Sequence, residues 1–378
     1  MSSSPGINPP FRADHVGSLL RPKTLIDARY ATGPEKPTDE ALRALEDRYI
    51  PEAIALQERI GLQAITDGEY RRGSFRSPVV SRVEGFVTVP PDPTVGQARD
   101  AAGEHHPLGD VPYAVGKLRR VRGIATHEFE FLRRHTRRTP KVTLPAPSYH
   151  HYHLGERAAD RTVYPDMAVY FDDLVRVFRE EVEALAAMGA TYIQFDEVIQ
   201  AYMCDDRIRA WLRSRGDDPD ALSRRYVELI NRIITPRPPG VTFAVHFCRG
   251  NSMGRWVAEG GYDHVAEIVF GGLQADALFL EYDTPRAGDF TPLRFVPPGK
   301  TVVLGLVSTK TPALEKPEDL KRRIDAASKY VPLDRLCLSP QCGFASRDKG
   351  NPITVEDEIA KLSLVVRVAT DVWGGVAA

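Results

Sequence analysis

Short apolar runs alternate with longer amphipathic segments along most of the chain, and this pattern predicts strands separated by helices. Residues 241–248 (VTFAVHFC) are typical of a buried strand, being short and rich in β-branched and aromatic residues. Eight such runs predict strands at residues 13–18, 62–67, 141–146, 191–196, 241–248, 277–282, 301–307 and 336–341. The main helices are predicted at 38–60, 166–188, 220–234, 253–270, 316–329 and 354–372.

Eight β-α units predict a closed parallel (β/α)8 TIM barrel with right-handed crossovers. A doubly wound open sheet is the strongest competitor, but no Gly-x-Gly-x-x-Gly motif follows the first strand. We therefore expect residues 1–378 to be a single barrel domain. Residues 75–140 are charged and weakly periodic, and we interpret them as an insertion between strands two and three. The insertion is expected to include a small hairpin near residues 117–124 and to pack over one end of the barrel.

The charge balance argues against a nucleic-acid surface, because 50 basic and 51 acidic residues nearly cancel and no long basic run occurs. No run approaches the roughly 20 apolar residues of a membrane span, and the N-terminus lacks signal-peptide features. Four cysteines are too few for a disulfide framework, so we expect reduced thiols in a cytoplasmic protein. Cys204 and Cys337 are interpreted as structural. The sequence leaves the oligomeric state open and allows a homo-oligomer.

Residues just beyond the carboxyl ends of barrel strands face one common bowl, where active sites are built. His246 and Cys248 are two positions apart on a strand and so point the same way. Taken alone, this pair is more often a core histidine beside a buried thiol than a metal site. Other strand ends add further candidates, and the full set is Ser18, Glu69, Asp196 with Glu197, His246, Cys248, Glu281, Lys310 and Cys342.

An imidazole, a carboxylate and two thiolates make a four-coordinate set that suits Zn²⁺. Two thiolates and a carboxylate leave such a site with a net negative charge, so the metal is a poor activator of water. It can still hold a bound thiol as a nucleophilic thiolate. Glu281 is the ligand that an incoming sulfur could displace. The set therefore favours alkylation of a thiol over hydrolysis.

The spacing of these residues resembles the C-terminal catalytic barrel of the cobalamin-independent methionine synthase family. Glu281 follows Cys248 by 33 positions, and Cys342 follows Glu281 by 61 positions within Ser-Pro-Gln-Cys-Gly-Phe. The resemblance covers about residues 12–372 and extends to Val16-Gly17-Ser18, Asp67-Gly68-Glu69 and Gln194-Phe195-Asp196-Glu197.

The resemblance implies that His246, Cys248, Glu281 and Cys342 bind zinc. It also implies that Ser18, Glu69 and Asp196 hold the amino-acid part of a homocysteine-like thiol. We add His15 to the substrate-binding candidates. Lys310 and Asp196 are the catalytic candidates.

Several departures from the family pattern leave the alkyl donor open. The family's N-terminal half is absent, so the chain looks like the free-standing core enzymes. Lys310 lies where the family places a histidine that passes a proton to the leaving folate nitrogen, and Val198 replaces a proline. The segment Tyr149–His153 is either a solvated aromatic loop or a lining of a substrate pocket.

Four functions are compatible with these residues. The default is methyl transfer to homocysteine, giving methionine, from methyltetrahydrofolate or methylcobalamin. The alternative enzyme is an epoxide-opening or other alkyl transfer to an anionic thiol such as coenzyme M, with Lys310 and Arg71-Arg72 holding the anion. A metal-free barrel of the uroporphyrinogen decarboxylase type would have no use for the thiols. A non-catalytic zinc-binding protein would bind metal without turnover. In the enzyme readings the partners are a small-molecule thiol and an alkyl donor.

Overall fold

The fold is built around one curled parallel sheet. The computed structural model describes residues 9–93 and 97–377. Seven parallel strands form the sheet in the order β1-β6-β7-β8-β9-β10-β11, so each strand from β6 onward pairs with the next one along the chain. These strands are β1 (Ala64–Ile65), β6 (Thr139–Pro145), β7 (Tyr192–Asp196), β8 (Thr242–Phe247), β9 (Ala277–Glu281), β10 (Thr301–Val307) and β11 (Leu336–Pro340).

The segment predicted as the first strand lies between the two edges of this sheet. On one side, Ala13 forms a parallel bridge with Leu338 of β11. On the other side, the Thr66 hydroxyl donates to the Gly17 carbonyl at 2.6 Å, just past β1. The fold is thus α/β with a curled parallel sheet. The hydrogen-bonded ladder contains seven strands in the described residues, and the fully closed eight-stranded barrel stays a prediction.

Twelve α-helices lie in the described residues, and most of those on the sheet match the predicted ones. They are α1 (Lys23–Tyr30), α2 (Asp39–Ile60), α3 (Ser77–Arg82), α4 (Thr126–His135), α5 (Tyr149–Tyr152), α6 (Met167–Ala187), α7 (Val198–Tyr202), α8 (Asp206–Ser214), α9 (Pro219–Ile234), α10 (Ala266–Gly272), α11 (Pro317–Ser328) and α12 (Val355–Trp373). Helix α2 shows why the predicted bounds were close: Thr38 caps its start by accepting from the Ala41 amide, and Gly61 ends it at φ 109°.

The helix predicted at 253–270 is wrong in its first half. Residues 253–261 form turns and irregular chain, and α10 begins only at Ala266. Gly254 and Gly260 have φ values of 82° and 112°, which a right-handed helix cannot accommodate. No helix in the described part of the chain is long and apolar enough to cross a membrane.

Two hydrophobic clusters stabilise the fold on opposite faces of the sheet. The larger one packs the outer face against the helices. The smaller one lies inside the curl and includes Phe11, Tyr192 and Phe279. Lys141 enters this inner space, where its ammonium group lies 3.0 Å from the Asp14 carboxylate and both side chains are fully buried. A charge pair so deeply buried is stable only while both partners are present.

The segment predicted as an insertion, residues 75–140, carries two small antiparallel sheets. Strand β2 (Val83–Val89) pairs with β5 (Val111–Arg120), and β3 (Gln97–Arg99) pairs with β4 (His105–Pro107). The hairpin expected near 117–124 is therefore wrong, because residues up to 120 belong to β5 and pair far back along the chain. Arg99 bridges to Trp256 and lies 3.2 Å from Asp205, which places this segment against loops that follow β7 and β8.

Candidate functional site

Three of the four predicted metal ligands meet at the carboxyl end of the sheet. His246 is near the end of β8, Cys248 follows it, and Cys342 follows β11. One ligand atom from each of these buried residues lies within 4.8 Å of the others. Neither ring nitrogen of His246 has a hydrogen-bond partner among the described residues. A buried imidazole without a partner is costly, so this ring is poised to accept a ligand.

The two thiols are close enough to share a proton. The Sγ atoms of Cys248 and Cys342 lie 3.7 Å apart, and Ser346 Oγ is 3.5 Å from Cys342 Sγ. The hydrogen bond between the sulfur atoms, with His246 close by, holds the pKa of Cys342 well below its usual range. The same hydrogen bond, together with burial, raises the pKa of Cys248 well above it. The two shifts run in opposite directions, so Cys342 loses its proton more readily than Cys248.

The geometry of this group fits zinc. Tetrahedral Zn²⁺ with Zn–S bonds of about 2.3 Å separates two thiolate sulfurs by about 3.8 Å. The observed Sγ–Sγ distance is 3.7 Å. The unpartnered His246 ring supplies a third donor of the preferred type.

Glu281 lies at the end of β9 but outside this close group. Its Oε2 accepts from the Arg249 amide at 2.6 Å, and its Oε1 lies 3.0 Å from Arg286. Burial alone would raise the pKa of the Glu281 carboxyl, but Lys310, Arg249 and Arg286 together lower it below its usual value. The carboxylate is thus ionised and stabilised by these cationic side chains. The Lys310 ammonium itself donates to the Gly250 carbonyl at 2.9 Å.

The predicted substrate residues Ser18, Glu69 and Asp196 line the same small cavity as the His246 group, which has a volume of about 40 Å³. Glu69 Oε1 accepts from the Thr143 hydroxyl at 2.7 Å, whereas the buried Oε2 has no partner in the described part of the chain. Asp196 Oδ1 accepts from the Gln194 amide at 2.8 Å. Burial, reinforced by the nearby Glu69 charge, raises the pKa of Asp196 to about 7. Two carboxylates in one buried cavity attract a cationic group.

The register of the sheet decides between Asp196 and Glu197, which the sequence could not. Asp196 pairs with His246 across β7 and β8, so both side chains point to the same face and line the cavity. Glu197 points away and caps α7, accepting from the Ile199 and Gln200 amides. It also accepts from the Ser148 hydroxyl at 2.5 Å.

Gly343 lets the loop carrying Cys342 approach Ser18. A Cβ atom on Gly343 would lie 2.0 Å from Ser18 Oγ, which no real contact permits. A larger residue would therefore require the Ser18 hydroxyl to turn away and the two loops to move slightly apart.

Two predicted elements of the site lie elsewhere. His15 is buried, but it does not line the cavity, and its Nε2 lies 3.1 Å from the Ala64 carbonyl. We therefore leave it out of the proposed site. Residues 149–153 are neither solvated nor part of the cavity lining: they form α5 and its end, and all five side chains are buried in an aromatic cluster. The expectation of a solvated loop is wrong. The segment is too short for a hydrophobic pattern of period 2.0 or 3.6 to show that its side chains are buried.

Arg71 and Arg72 are already occupied by acids. Arg71 lies 3.2 Å from Glu46, and Arg72 donates to both oxygens of Glu128. Arg72 also approaches Glu69 at 3.4 Å.

Sequence reasoning missed Tyr202 and Asn251, which line the cavity from α7 and from the loop after Cys248. The position of Asn251 three residues after Cys248 was a usable signal.

Comparisons with known proteins cover nearly the whole chain. A family profile described as "Cobalamin-independent synthase, Catalytic domain" matches residues 244–371. The Bacillus subtilis protein named "Uncharacterized protein YxjH" is 39% identical over 96% of this chain and 95% of its own. A crystal structure titled as the putative vitamin-B12 independent methionine synthase from Listeria monocytogenes is 30% identical, with a TM-score of 0.72 over 97% of this chain and 99% of that one. The chain belongs to the cobalamin-independent methionine synthase family.

Membership extends to relatives named for the reaction. A protein named "Methionine synthase" from Pyrococcus abyssi is 25% identical over 88% of this chain and 86% of its own. The family profile begins at residue 244, within β8, and so includes His246, Cys248, Glu281 and Cys342. Family membership implies a methyltransferase.

Proposed function

We propose that this protein is a zinc-dependent methyltransferase that alkylates a thiol, with homocysteine as the acceptor and methyltetrahydrofolate or methylcobalamin as the donor. The observation that carries the proposal is one cavity in which an unpartnered imidazole and two thiols face two buried carboxylates. Sulfur and nitrogen donors suit the metal, and the carboxylates suit the ammonium group of an amino acid.

His246, Cys248 and Cys342 would hold zinc, with Glu281 as the fourth and exchangeable ligand. When bound, zinc supplies a positive charge that keeps a substrate thiol ionised and nucleophilic. Glu281 would be exchangeable because the Arg249 backbone amide and the Arg286 guanidinium already donate to its two carboxylate oxygens.

Glu69 and Asp196 would bind the substrate ammonium, and Ser18 would contact the same amino-acid group. The unpartnered Oε2 of Glu69 gains a charge-assisted hydrogen bond when the ammonium arrives. An ammonium beside Asp196 also favours its ionised form. The chain thus orients the thiol by its polar end, which places its sulfur near the cysteines.

In the reaction, the substrate sulfur forms a bond to the methyl carbon while the bond from that carbon to the donor breaks. The thiol proton is lost before attack, and the donor's leaving atom takes the bonding electron pair. Lys310, which is buried and acts electrostatically on Glu281, is our candidate to protonate that atom or to bind an anion on the donor.

The coenzyme M alternative is less well supported. It calls for Lys310 together with Arg71 and Arg72 to bind an anionic headgroup, but both arginines are paired with acids. An anionic headgroup would also meet the two carboxylates of the cavity, which would repel it.

The test is turnover by zinc-loaded protein with homocysteine and each donor, with methionine measured by mass spectrometry. Coenzyme M replaces homocysteine in a parallel reaction. Glu69→Gln should raise the KM for homocysteine about 10- to 100-fold, since a charge-assisted hydrogen bond is lost, and should leave bound zinc unchanged. Glu84→Gln, on an exposed strand of the insertion, serves as the control. Absence of methionine with both donors, from protein that contains zinc, would refute the proposal.

A further inference from the structure

Arg21 is a buried cation whose hydrogen bonds connect three loops at the carboxyl end of the sheet. All of its hydrogen bonds in the described part of the chain go to backbone carbonyls, those of Leu19, Glu69, Arg72 and Ala345. The first segment, the loop after β1 and the loop that carries Cys342 each contribute at least one of these carbonyls. A guanidinium group is planar and presents its N–H donors in a fixed fork, so it holds these loops at set positions.

One arm of Arg21 holds the backbone of Glu69 in an unfavourable conformation. The φ of Glu69 is 59°, in the left-handed region that residues other than glycine rarely adopt. The Glu69 amide donates to Asp67 Oδ1 at 2.9 Å, and the Glu69 carbonyl accepts from Arg21 Nη2 at 2.6 Å. Such a backbone persists only where its surroundings fix it. Arg21 and Asp67 therefore determine where the unpartnered Oε2 atom of Glu69 lies.

The other arm of Arg21 contacts the loop of a proposed metal ligand. Arg21 Nη1 donates to the Ala345 carbonyl at 3.0 Å, and the Ala345 amide donates to Ser18 Oγ at 3.3 Å. Ala345 belongs to the same loop as Cys342, which directly follows β11. The distance between Glu69 and Cys342 thus depends on one side chain that is bonded to both loops.

We propose that Arg21 is a positioning residue that sets the distance between Glu69 and the metal ligands and thereby selects homocysteine over cysteine. The inference rests on the proposed function, in which Glu69 binds the acceptor's ammonium group and the metal binds its sulfur. Cysteine carries the same two groups but has one methylene fewer. In a rigid site fitted to homocysteine it cannot reach both ends, whereas in a site with a movable Glu69 loop both thiols can.

The test measures binding rather than turnover. Calorimetry on zinc-loaded, full-length protein compares the affinities for homocysteine and cysteine. The wild type should bind homocysteine at least about 10-fold more tightly, since one methylene of misfit in a rigid site costs about that factor. Arg21→Lys keeps the charge, but a flexible point charge cannot bond both loops in a fixed geometry. Its two affinities should therefore lie within about 3-fold of each other, with the zinc content unchanged.

Arg29→Lys is the matched control. Arg29 donates to the carbonyls of Tyr70 and Arg72 in the same loop, at 2.6 and 3.0 Å, but its hydrogen bonds reach neither Glu69 nor Ala345. Its ratio of homocysteine to cysteine affinity should equal that of the wild type.

A second variant decides the question if Arg21→Lys does not fold. Asp67→Ala removes the acceptor of the Glu69 amide and leaves Arg21 in place. It should lower the same ratio, because the Glu69 backbone is then held from one side only. An unchanged ratio in folded Asp67→Ala protein would overturn the inference in that case.

The outcomes separate this inference from the proposed function. Failure of homocysteine to bind the zinc-loaded wild type would reject the acceptor, and this inference with it. Tight binding of homocysteine, with the same ratio in Arg21→Lys as in Arg29→Lys, would overturn the role of Arg21 and leave the proposed function standing. An equal loss of affinity for both thiols in Arg21→Lys, or equal affinities in the wild type, would also show that Arg21 does not select the acceptor by length.

Discussion

Replacing one cysteine of the close group should remove the metal, and this prediction tests the centre of the proposed site. The Sγ atoms of Cys248 and Cys342 lie 3.7 Å apart, which matches two thiolates on one tetrahedral ion. Structural zinc bound by four ligands gains about 10–16 kcal/mol. One ligand therefore accounts for about 2.5–4 kcal/mol, and its loss should weaken binding about 10²- to 10³-fold.

The assay is metal analysis of purified protein, followed by competition with a chelator of known affinity. Wild-type protein should contain about one zinc per chain. Cys248→Ser and Cys342→Ser should each lose it. Cys204→Ser is the matched control: this thiol is also buried, but its only hydrogen bond among described residues goes to the Gln200 carbonyl. Full retention of zinc by both site variants, with chelator affinity unchanged, would show that these sulfurs do not form a metal site.

Three further predictions concern the structure around the site. Gly343→Ala should lower the free energy of unfolding by about 1–3 kcal/mol and impair thiol binding, because the new Cβ would collide with Ser18 Oγ; chemical denaturation and the homocysteine KM measure both effects. Asp14→Asn should cost about 3–5 kcal/mol in chemical denaturation, since it leaves the buried Lys141 charge unpaired. Burial raises the pKa of Glu358 to about 8, so the folded state holds a proton that the unfolded state loses above about pH 4.5, and stability falls as pH rises toward 8. Glu358→Gln should remove that loss, raising stability over wild type by on the order of 5 kcal/mol at pH 9 but little at pH 5.

Each of these predictions has a control on the same chain. Gly375→Ala should be neutral, because nothing lies within 4 Å of its Cβ position. Asp27→Asn breaks the exposed pair with Lys23 and should change stability by no more than about 0.5 kcal/mol. Glu356→Gln alters an exposed carboxylate on the same helix as Glu358 and should leave the pH profile unchanged. Equal effects in a variant and its control would contradict the corresponding structural reason.

The sequence alone was sufficient for the order of the sheet strands from β6 onward and for the residues at their ends. Seven of the eight predicted strands appear in the sheet, because buried parallel strands are short apolar runs whose pattern is local. The sequence also predicted correctly that His246, Cys248 and Cys342 lie close together, because each is at or just after the end of a strand that the sequence reveals.

The tertiary structure decided what depends on contacts between distant segments. Strand register, set by neighbouring strands, turned Asp196 rather than Glu197 into the cavity. Pairing with Glu46 and Glu128 removed Arg71 and Arg72 from consideration as binders of an anionic headgroup. A hydrophobic pattern reports only which face of an element is buried. It does not report which charge, from a hundred residues away, will lie against it.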